Sequence, residues 1–524
     1  MGKVLNNIKR GKRGAVSTIV LFTLLMFVVI LMGTYVLVTI NARSQLRSDE
    51  RIKDIYAEDV KKKDEMYEAV MNGWDDTKMV NAPKLLEGMT PIKFITFSEL
   101  IEGTEKKKDE IGRAVKTSKI DNEWYDYRTK QWANAETEDG SMWVWIPRFA
   151  YKIDKENQKI DVVFLIGTTD TYYDSVGIKQ EAKRAKNEEK SPDATADYIV
   201  HPAFTDESSM DYANGGWSKE LTGIWVSKFE AGYAGGNNDS NQADSSVTYS
   251  NATRNYFGEC TTSTKIKYPV FRPTTYSMNN ISIQDAYRIS EALTEVNNIY
   301  GLNKTKADAD SHLIKNSEWG AVAYLAKSSY GNENEITINN ANLNDSISTI
   351  YAITGCAAES DIAEKTTTIS ALNGAVENTP VDGLFIWNQE GGQKASTTGN
   401  IYGVYDINGG SFEYVAAYVS NGNENIETYG NALKTNSNSK YITTYESTDS
   451  ANNIIGDAIK ETTSGTGNNN NAWNEDNSVY PSTNPFFARG GSYAIGNKAG
   501  SFSYTPTQGN PQSGNSFRAV LVAK

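Results

Sequence analysis

Residues 15–40 read AVSTIVLFTLLMFVVILMGTYVLVTI, a run of 26 residues without one charged side chain. As a helix rising about 1.5 Å per residue it spans roughly 39 Å, enough to cross a hydrocarbon layer of about 30 Å with some tilt. A buried helix of a soluble protein is rarely this long without a charge. A cleaved signal peptide has an apolar region about half as long, followed by a small-residue cleavage site, and no such site is evident here. The run is therefore read as a transmembrane helix. Lys3, Lys9, Arg10, Lys12 and Arg13 precede it, and no acid accompanies them. Basic flanks stay on the cytoplasmic side, so residues 1–14 are expected inside and the long C-terminal remainder outside the cell.

The anchor divides the charge unevenly. Of the 52 basic residues, five lie in the leader, which leaves 47 against 65 acids beyond the membrane. An ectodomain with a net charge of about −18 lacks the clustered Lys and Arg that phosphate contacts require, which argues against a nucleic-acid partner. The acidity itself favours solubility more than it specifies a ligand. Cys260 and Cys356 are too few for a disulfide scaffold. One extracellular bridge and two separate small apolar side chains both remain open.

Residues 41–72 are charged and helix-prone. Leu46, Ile52, Ile55, Tyr56, Val60, Tyr67 and Val70 recur at three- and four-residue spacing, which predicts a helical stalk ending at Asn72-Gly73. Residues 73–139 carry turn signals at 81–83 and 88–91 and read as a small linker region. From about residue 140 the texture changes. Short aromatic and β-branched runs at 142–147, 160–166, 223–229, 401–406, 412–419 and 486–493 alternate with Gly, Asn and Ser, and predict strands and turns. The 30 Tyr and 10 Trp supply large rings for a core. Two windows read as helices: 282–293, and 316–326 with Asn316 or Ser317 as its cap. Stretches 235–250, 328–344 and 421–471 are poor in apolar residues and read as surface loops or insertions.

The order of these segments resembles the formylglycine-generating enzyme (sulfatase-modifying factor) family, a variant of the C-type lectin fold. Trp143-Val144-Trp145-Ile146-Pro147 resembles its first strand, and Gly223-Ile224-Trp225-Val226-Ser227-Lys228-Phe229-Glu230 the strand that leads into its EVT segment. The window 282–293 stands where the family has its first helix. Leu313-Ile314-Lys315-Asn316-Ser317-Glu318-Trp319 is similar to RLPTEAEW, and the stretch from Tyr405-Asp406 through Glu413-Tyr414-Val415 to YDMxGNVWEWV. Arg489-Gly490-Gly491-Ser492-Tyr493, closed by Phe517-Arg518, is similar to RGGSW…GFR. Six such segments in order over roughly 380 residues imply an α+β, C-type-lectin-like domain over 140–524. Glu318, Trp319, Asp406, Glu413, Arg489, Gly490, Gly491, Phe517 and Arg518 are then framework residues. A buried Glu318 needs a partner, and Arg489 and Arg518 are the candidates.

In the family's oxidising members two cysteines inside the closing segment bind copper. Their positions fall here at Ile495 and Gly500, which offer neither a thiolate nor a metal ligand. An enzyme is therefore not expected. His201 and His312 show no zinc spacing and read as hydrogen-bonded structural residues. No nucleophile-elbow, phosphate-loop or CxxC pattern is present. No cofactor is required. Stretches 170–174 and 237–241 hold oxygen ligands that would suit calcium, without EF-hand spacing.

The closing segment also resembles the variable region of proteins diversified by retroelements, in which scattered codon changes retune a ligand site on a constant scaffold. Framework positions alternate with Tyr493, Ile495, Asn497, Ser501, Ser503, Tyr504, Thr505, Gln508, Asn510 and Asn515. Tyr, Ser, Asn and Gly supply rigid contact area and adaptable hydrogen bonding. These ten residues form the candidate ligand-binding face, joined by the turn at 409–414. The expected function is a single-pass, membrane-anchored surface binder or adhesin of an extracellular protein or carbohydrate. An extracellular enzyme on the same scaffold is one alternative. A pilin-like structural subunit is the other, since a basic leader ending in Gly14 before an apolar helix resembles type IV prepilins. Ile19 stands where those pilins carry a glutamate.

Overall fold

The computed structural model describes residues 20–43, 45, 53, 73–95 (except 76), 112–185, 194–206, 216–232, 269–344 (except 276 and 297), 350–358, 367–369, 384–435, 439–447, 454–464 and 470–524. The chain divides into two compact units, Met1–Met71 and Asn72–Lys524. In the first, helix Val20–Arg43 runs for 24 residues, its most apolar 18 residues have a mean hydropathy of 2.6, and it is long and apolar enough to cross a membrane. Its threonines fold back on the helix: Thr34 donates to the carbonyls of Ile30 (3.0 Å) and Leu31 (2.9 Å), and Thr39 to that of Tyr35 (2.7 Å). Such internal pairing lets a hydroxyl sit where water is absent. The leader 1–14 and almost all of the stalk 41–72 lie outside the described residues.

The second unit mixes helix and sheet. Its largest antiparallel sheet has seven strands, in the order Ala309–Leu313, Ala519–Ala523, Gly223–Ser227, Met142–Pro147, Asn134–Glu136, Thr90–Phe94 and Ala114–Lys116. Strand Met142–Pro147 is buried along its whole length. Both faces of this strand are covered, so its sequence shows no apolar–polar alternation. Trp145 lies opposite Trp225 in the register, with ring centroids 5.3 Å apart.

The sheet corrects the reading of 73–139 as a linker. Strands Thr90–Phe94 and Asn134–Glu136 belong to it, and Trp124, Tyr127 and Trp132 are buried with them. Strands of three to five residues leave too short a period to recognise from sequence.

A second sheet runs Thr443–Glu446, Phe412–Ser420, Phe486–Arg489, Tyr504–Thr507 and three short strands, with Asn515–Phe517 paired alongside Phe412–Ser420. The last residues of the chain link the two sheets. Asn515–Phe517 pairs in the second, and Ala519–Ala523 enters the first between Ala309–Leu313 and Gly223–Ser227. Arg518 sits at the crossing and is therefore buried between them.

Helix Ile283–Glu291 starts where Ser282 accepts from the Asp285 N–H, and substituting Ser282 by alanine is expected to cost about 1 kcal/mol in thermal unfolding. Helix Asn316–Ala326 has the expected bounds but not the expected cap. Lys315 is the cap residue, and the Glu318 carboxylate turns back to its N–H at 2.9 Å. Every residue of this helix is buried, so no single inward face exists.

Three further expectations change. Residues 401–406 form no strand, because Lys228 takes the Ile401 and Gly403 carbonyls at 2.6 and 2.8 Å. Lys228 is fully buried, gives its third donor to Asn134 Oδ1 (2.9 Å) and lies near the Phe94 and Tyr405 rings; burial pushes its pKa well down. The strand expected over 486–493 stops at Arg489, where Gly490 and Gly491 take φ of +79° and +72°. Residues 336–341 and 454–462, read as surface, are largely buried. Cys356 is a buried unbridged thiol whose pKa burial pushes up, and Cys260 lies outside the described residues.

Candidate ligand-binding surface

The residues expected to form the framework converge. Glu413 and Arg518 make a bidentate pair, with Nε–Oε2 at 2.7 Å and Nη2–Oε1 at 2.5 Å, and both are buried. Two guanidinium groups flank the Trp319 ring, Arg489 at 5.6 Å and Arg518 at 5.7 Å from its centroid. Trp319 Nε1 donates to the Ser501 carbonyl at 2.7 Å, which ties the helix to the closing segment. Asp406, at φ +60°, accepts from Asn339 Nδ2 and the Gly355 N–H, both at 2.8 Å. A Cβ on Gly490 would stand 3.2 Å from both Trp319 and the Ile407 carbonyl, a close approach that favours glycine. Phe517 is fully buried.

Neither arginine serves Glu318. Its carboxylate takes His312 Nε2 at 2.8 and 3.0 Å, with Lys315 Nζ at 3.6 Å. Arg489 donates to Asn316 Oδ1 and to the carbonyls of Asp457 and Ala458. The other histidine is also structural. His201 Nδ1 accepts from the Ala203 N–H at 3.3 Å, and burial pushes its pKa down to about 3.

The ten residues expected on one face separate into two groups. Tyr493, Ser501, Ser503, Tyr504 and Asn515 are buried, which corrects their reading as exposed contact residues. Tyr504 shares a hydrogen bond with Thr463 (3.0 Å) and lies beside Arg489, while Asn515 donates to the Tyr414 hydroxyl (2.9 Å). Asn497 and Gln508 are exposed, and Ile495, Thr505 and Asn510 are half-buried. Ala494, Gln512 and Ser513 are exposed beside them, though sequence reasoning passed them over.

Apart from Thr505, which lies within strand Tyr504–Thr507, these accessible residues lie at two ends of one hairpin. Arg489 pairs with Tyr504 and Phe486 with Thr507, so loop 490–503 leaves one end and 508–514 the other. Three residue steps separate the ends by roughly 10 Å. The turn at 409–414 joins the first end, because the Tyr493 N–H donates to the Gly410 carbonyl at 2.8 Å.

The two positions at which the resemblance would put copper-binding cysteines, 495 and 500, are closely packed. Ile495 packs close to Gly491, and a Cβ on Gly500 would fall inside both oxygens of the Asp476 carboxylate. Asp476 is fully buried. Its Oδ2 accepts the Phe502 N–H at 2.9 Å, and Oδ1 has no hydrogen-bond partner among the described residues. Burial pushes its pKa up to about 8, with Lys327 and Arg489 opposing. Sequence reasoning missed Asp476, since one acid in an Asn-rich stretch carries no local signal.

Of the two possible calcium stretches, 237–241 lies outside the described residues. In 170–174, Asp170 pairs with Arg148 (3.0 Å) and Arg184 (2.5 Å), and Asp174 accepts from the N–H groups of its own turn. Among the described residues no group of three or more His, Cys, Asp or Glu is placed to hold a metal ion. No protein-family model matches the chain, and no curated protein matches it.

Proposed function

We propose that this chain is a single-pass, membrane-anchored surface protein whose C-terminal domain, of C-type-lectin-like architecture, binds an extracellular protein or carbohydrate without transforming it. One observation carries the reading. Accessible, chemically adaptable residues (Asn497 and Gln508 fully, Ile495, Thr505 and Asn510 partly) stand on a hairpin held at its root by buried arginines and glycines. A rigid base with replaceable tips is what ligand recognition by loops needs. The convergence of Trp319, Arg489, Glu413 and Arg518 supports the lectin-like resemblance, because widely separated motif residues meet in one cluster. The apolar helix supports anchoring, and the basic leader supports a cytoplasmic N-terminus.

The full chain, held in detergent micelles, is to be applied to arrays of glycans and extracellular proteins. At least one array member is expected to bind. Asn497→Arg together with Gln508→Arg is expected to weaken that binding at least tenfold, about 1.4 kcal/mol. Binding unchanged by both substitutions would remove these loops as the contact surface. Retroelement diversification has its own test in the genome: a neighbouring reverse-transcriptase gene and a near-copy of the 489–518 coding stretch that differs mainly at template adenines. The lack of both would end that part of the reading and leave binding in place.

A further inference from the structure

Residues 454–463 contact the hairpin at Arg489 and Tyr504 and carry two buried carboxylates, Asp457 and Glu461. Glu461 accepts from the hydroxyls of Tyr151 (2.9 Å) and Tyr324 (2.8 Å) and from the Gly456 N–H (2.6 Å). Asp457 has fewer donors, namely the Tyr445 hydroxyl and the Ile459 N–H, each at 3.0 Å. The adjacent cation is committed elsewhere. Arg489 spends its Nη groups on the backbone carbonyls of Asp457 and Ala458 and on Asn316 Oδ1. The same strap thus holds Arg489 by its backbone and Tyr504 by Thr463 Oγ1, and those two residues bracket loop 490–503. Its backbone is bent to do so, with φ of +81° at Gly456 and +53° at Ala458.

We propose that residues 454–463 form a proton-dependent latch on the closing segment: seated while Asp457 is protonated beside Glu461, and lifted from Arg489 and Tyr504 when Asp457 ionises. Burial raises the Glu461 pKa as well, but three donors and the nearby Lys155 oppose that rise, so Glu461 is the better place for a single negative charge. A second charge in the same dry pocket meets both burial and repulsion. Burial first and Glu461 second push Asp457 up to about 7, against the pull of Arg489. The other groups facing the pair do not titrate in its place. His201, against Gly456, has its pKa pushed down to about 3, and the hydroxyls of Tyr151, Tyr324, Tyr445 and Tyr504 are all raised above the ordinary tyrosine value. Control of ligand access by the latch rests on the binding reading above; the latch itself does not.

The sign follows from linkage. An unfolded aspartate ionises near pH 4, so the advantage of the seated strap is full below that pH. It falls about tenfold per pH unit up to about 7 and is level above. Hydrogen–deuterium exchange of the full chain in micelles, corrected for the intrinsic pH dependence of exchange, reads the opening. The opening constant for peptides covering 454–463 is expected to rise about a hundredfold between pH 5 and pH 8, while Met142–Pro147 stays protected. Asp457→Asn is expected to flatten this profile with the strap still seated. Tyr445→Phe, which removes a donor to the carboxylate, is expected to move the onset to higher pH. Asp476 bonds Phe502 rather than the strap, so its titration survives Asp457→Asn and is told apart. Identical profiles in the parent and Asp457→Asn, or parallel opening of Met142–Pro147, would overturn the latch. No ligand enters the measurement, so a failed binding screen leaves the result standing.

Discussion

Arg518→Ala is expected to destabilise the Asn72–Lys524 unit by about 3–5 kcal/mol, the cost typical of leaving one partner of a buried ion pair alone. The environment places the loss at the upper end. Among the described residues Arg518 is the only cation bonded to Glu413; it also donates to the carbonyls of Ser227 (3.1 Å) and Tyr405 (2.9 Å) and lies over the Trp319 ring. Without it, Glu413, Asp406 and Glu230 share one pocket with no guanidinium among them, and Glu230 already has its pKa raised by burial and by the Asp406 charge. Urea unfolding of the full chain in micelles, followed by tryptophan fluorescence, measures the change. Arg518→Lys is expected to recover only part of it, because a single ammonium cannot reproduce the bidentate geometry. A loss below about 1 kcal/mol would show that the pair contributes little to holding the two sheets together.

Gly500→Ala is the second large effect, and its value lies in its coupling. The added methyl meets the Asp476 carboxylate, and overpacking of a tight core costs about 1–3 kcal/mol. Pressing on a buried acid whose Oδ2 is fixed to the Phe502 N–H takes the cost toward the top of that range. Asp476→Ala removes the obstacle and also removes a carboxyl group with an unpartnered oxygen, so alone it is expected to cost less. In the double variant most of the Gly500→Ala penalty is expected to disappear, a coupling of about 2 kcal/mol, within the span seen for residues in contact. Additive effects would mean that Asp476 and Gly500 do not share the space. The experiment also bears on chemistry. A cysteine at 500 would compete with Asp476 for one volume, so placing a thiol there requires replacing the acid as well.

Much of this protein was legible without coordinates, though unevenly. The apolar helix needs no partner to be recognised, because a bilayer imposes a length and a polarity that one stretch of sequence either meets or does not. Strand Met142–Pro147 and helix Asn316–Ala326 also have the bounds expected of them. Both have strong local character, one in aromatic and β-branched residues, the other in a capped run of helix formers. Strands Thr90–Phe94 and Asn134–Glu136 were not legible, since their stability comes from neighbours in the sheet rather than from their own residues.

The proposed binding face shows the same division at the level of single side chains. Alternation along 493–515 marks which residues are polar and adaptable, and Asn497 and Gln508 are indeed exposed. Whether a tyrosine in that segment faces solvent depends on what packs over it. Tyr493 is closed off near the 409–410 turn, and Tyr504 by Arg489 and a strap about forty residues earlier in the chain. The ion pairs follow suit: the resemblance implies a buried Glu318 partnered by Arg489 or Arg518, but Glu318 goes to His312 and Glu413 to Arg518.

The sequence by itself therefore determined the long apolar helix, the order of the aromatic and glycine-rich segments and the lack of thiols at 495 and 500, since each is written in a contiguous stretch or in residue identity alone. Only the tertiary structure decided which acid meets which cation, which half of the closing segment reaches solvent, and that Asp457, Glu461 and Asp476 are buried at all. Those outcomes depend on distances between residues far apart in the chain, and burial, which sets both the pairing and the pKa of an acid, is a property of the packed whole.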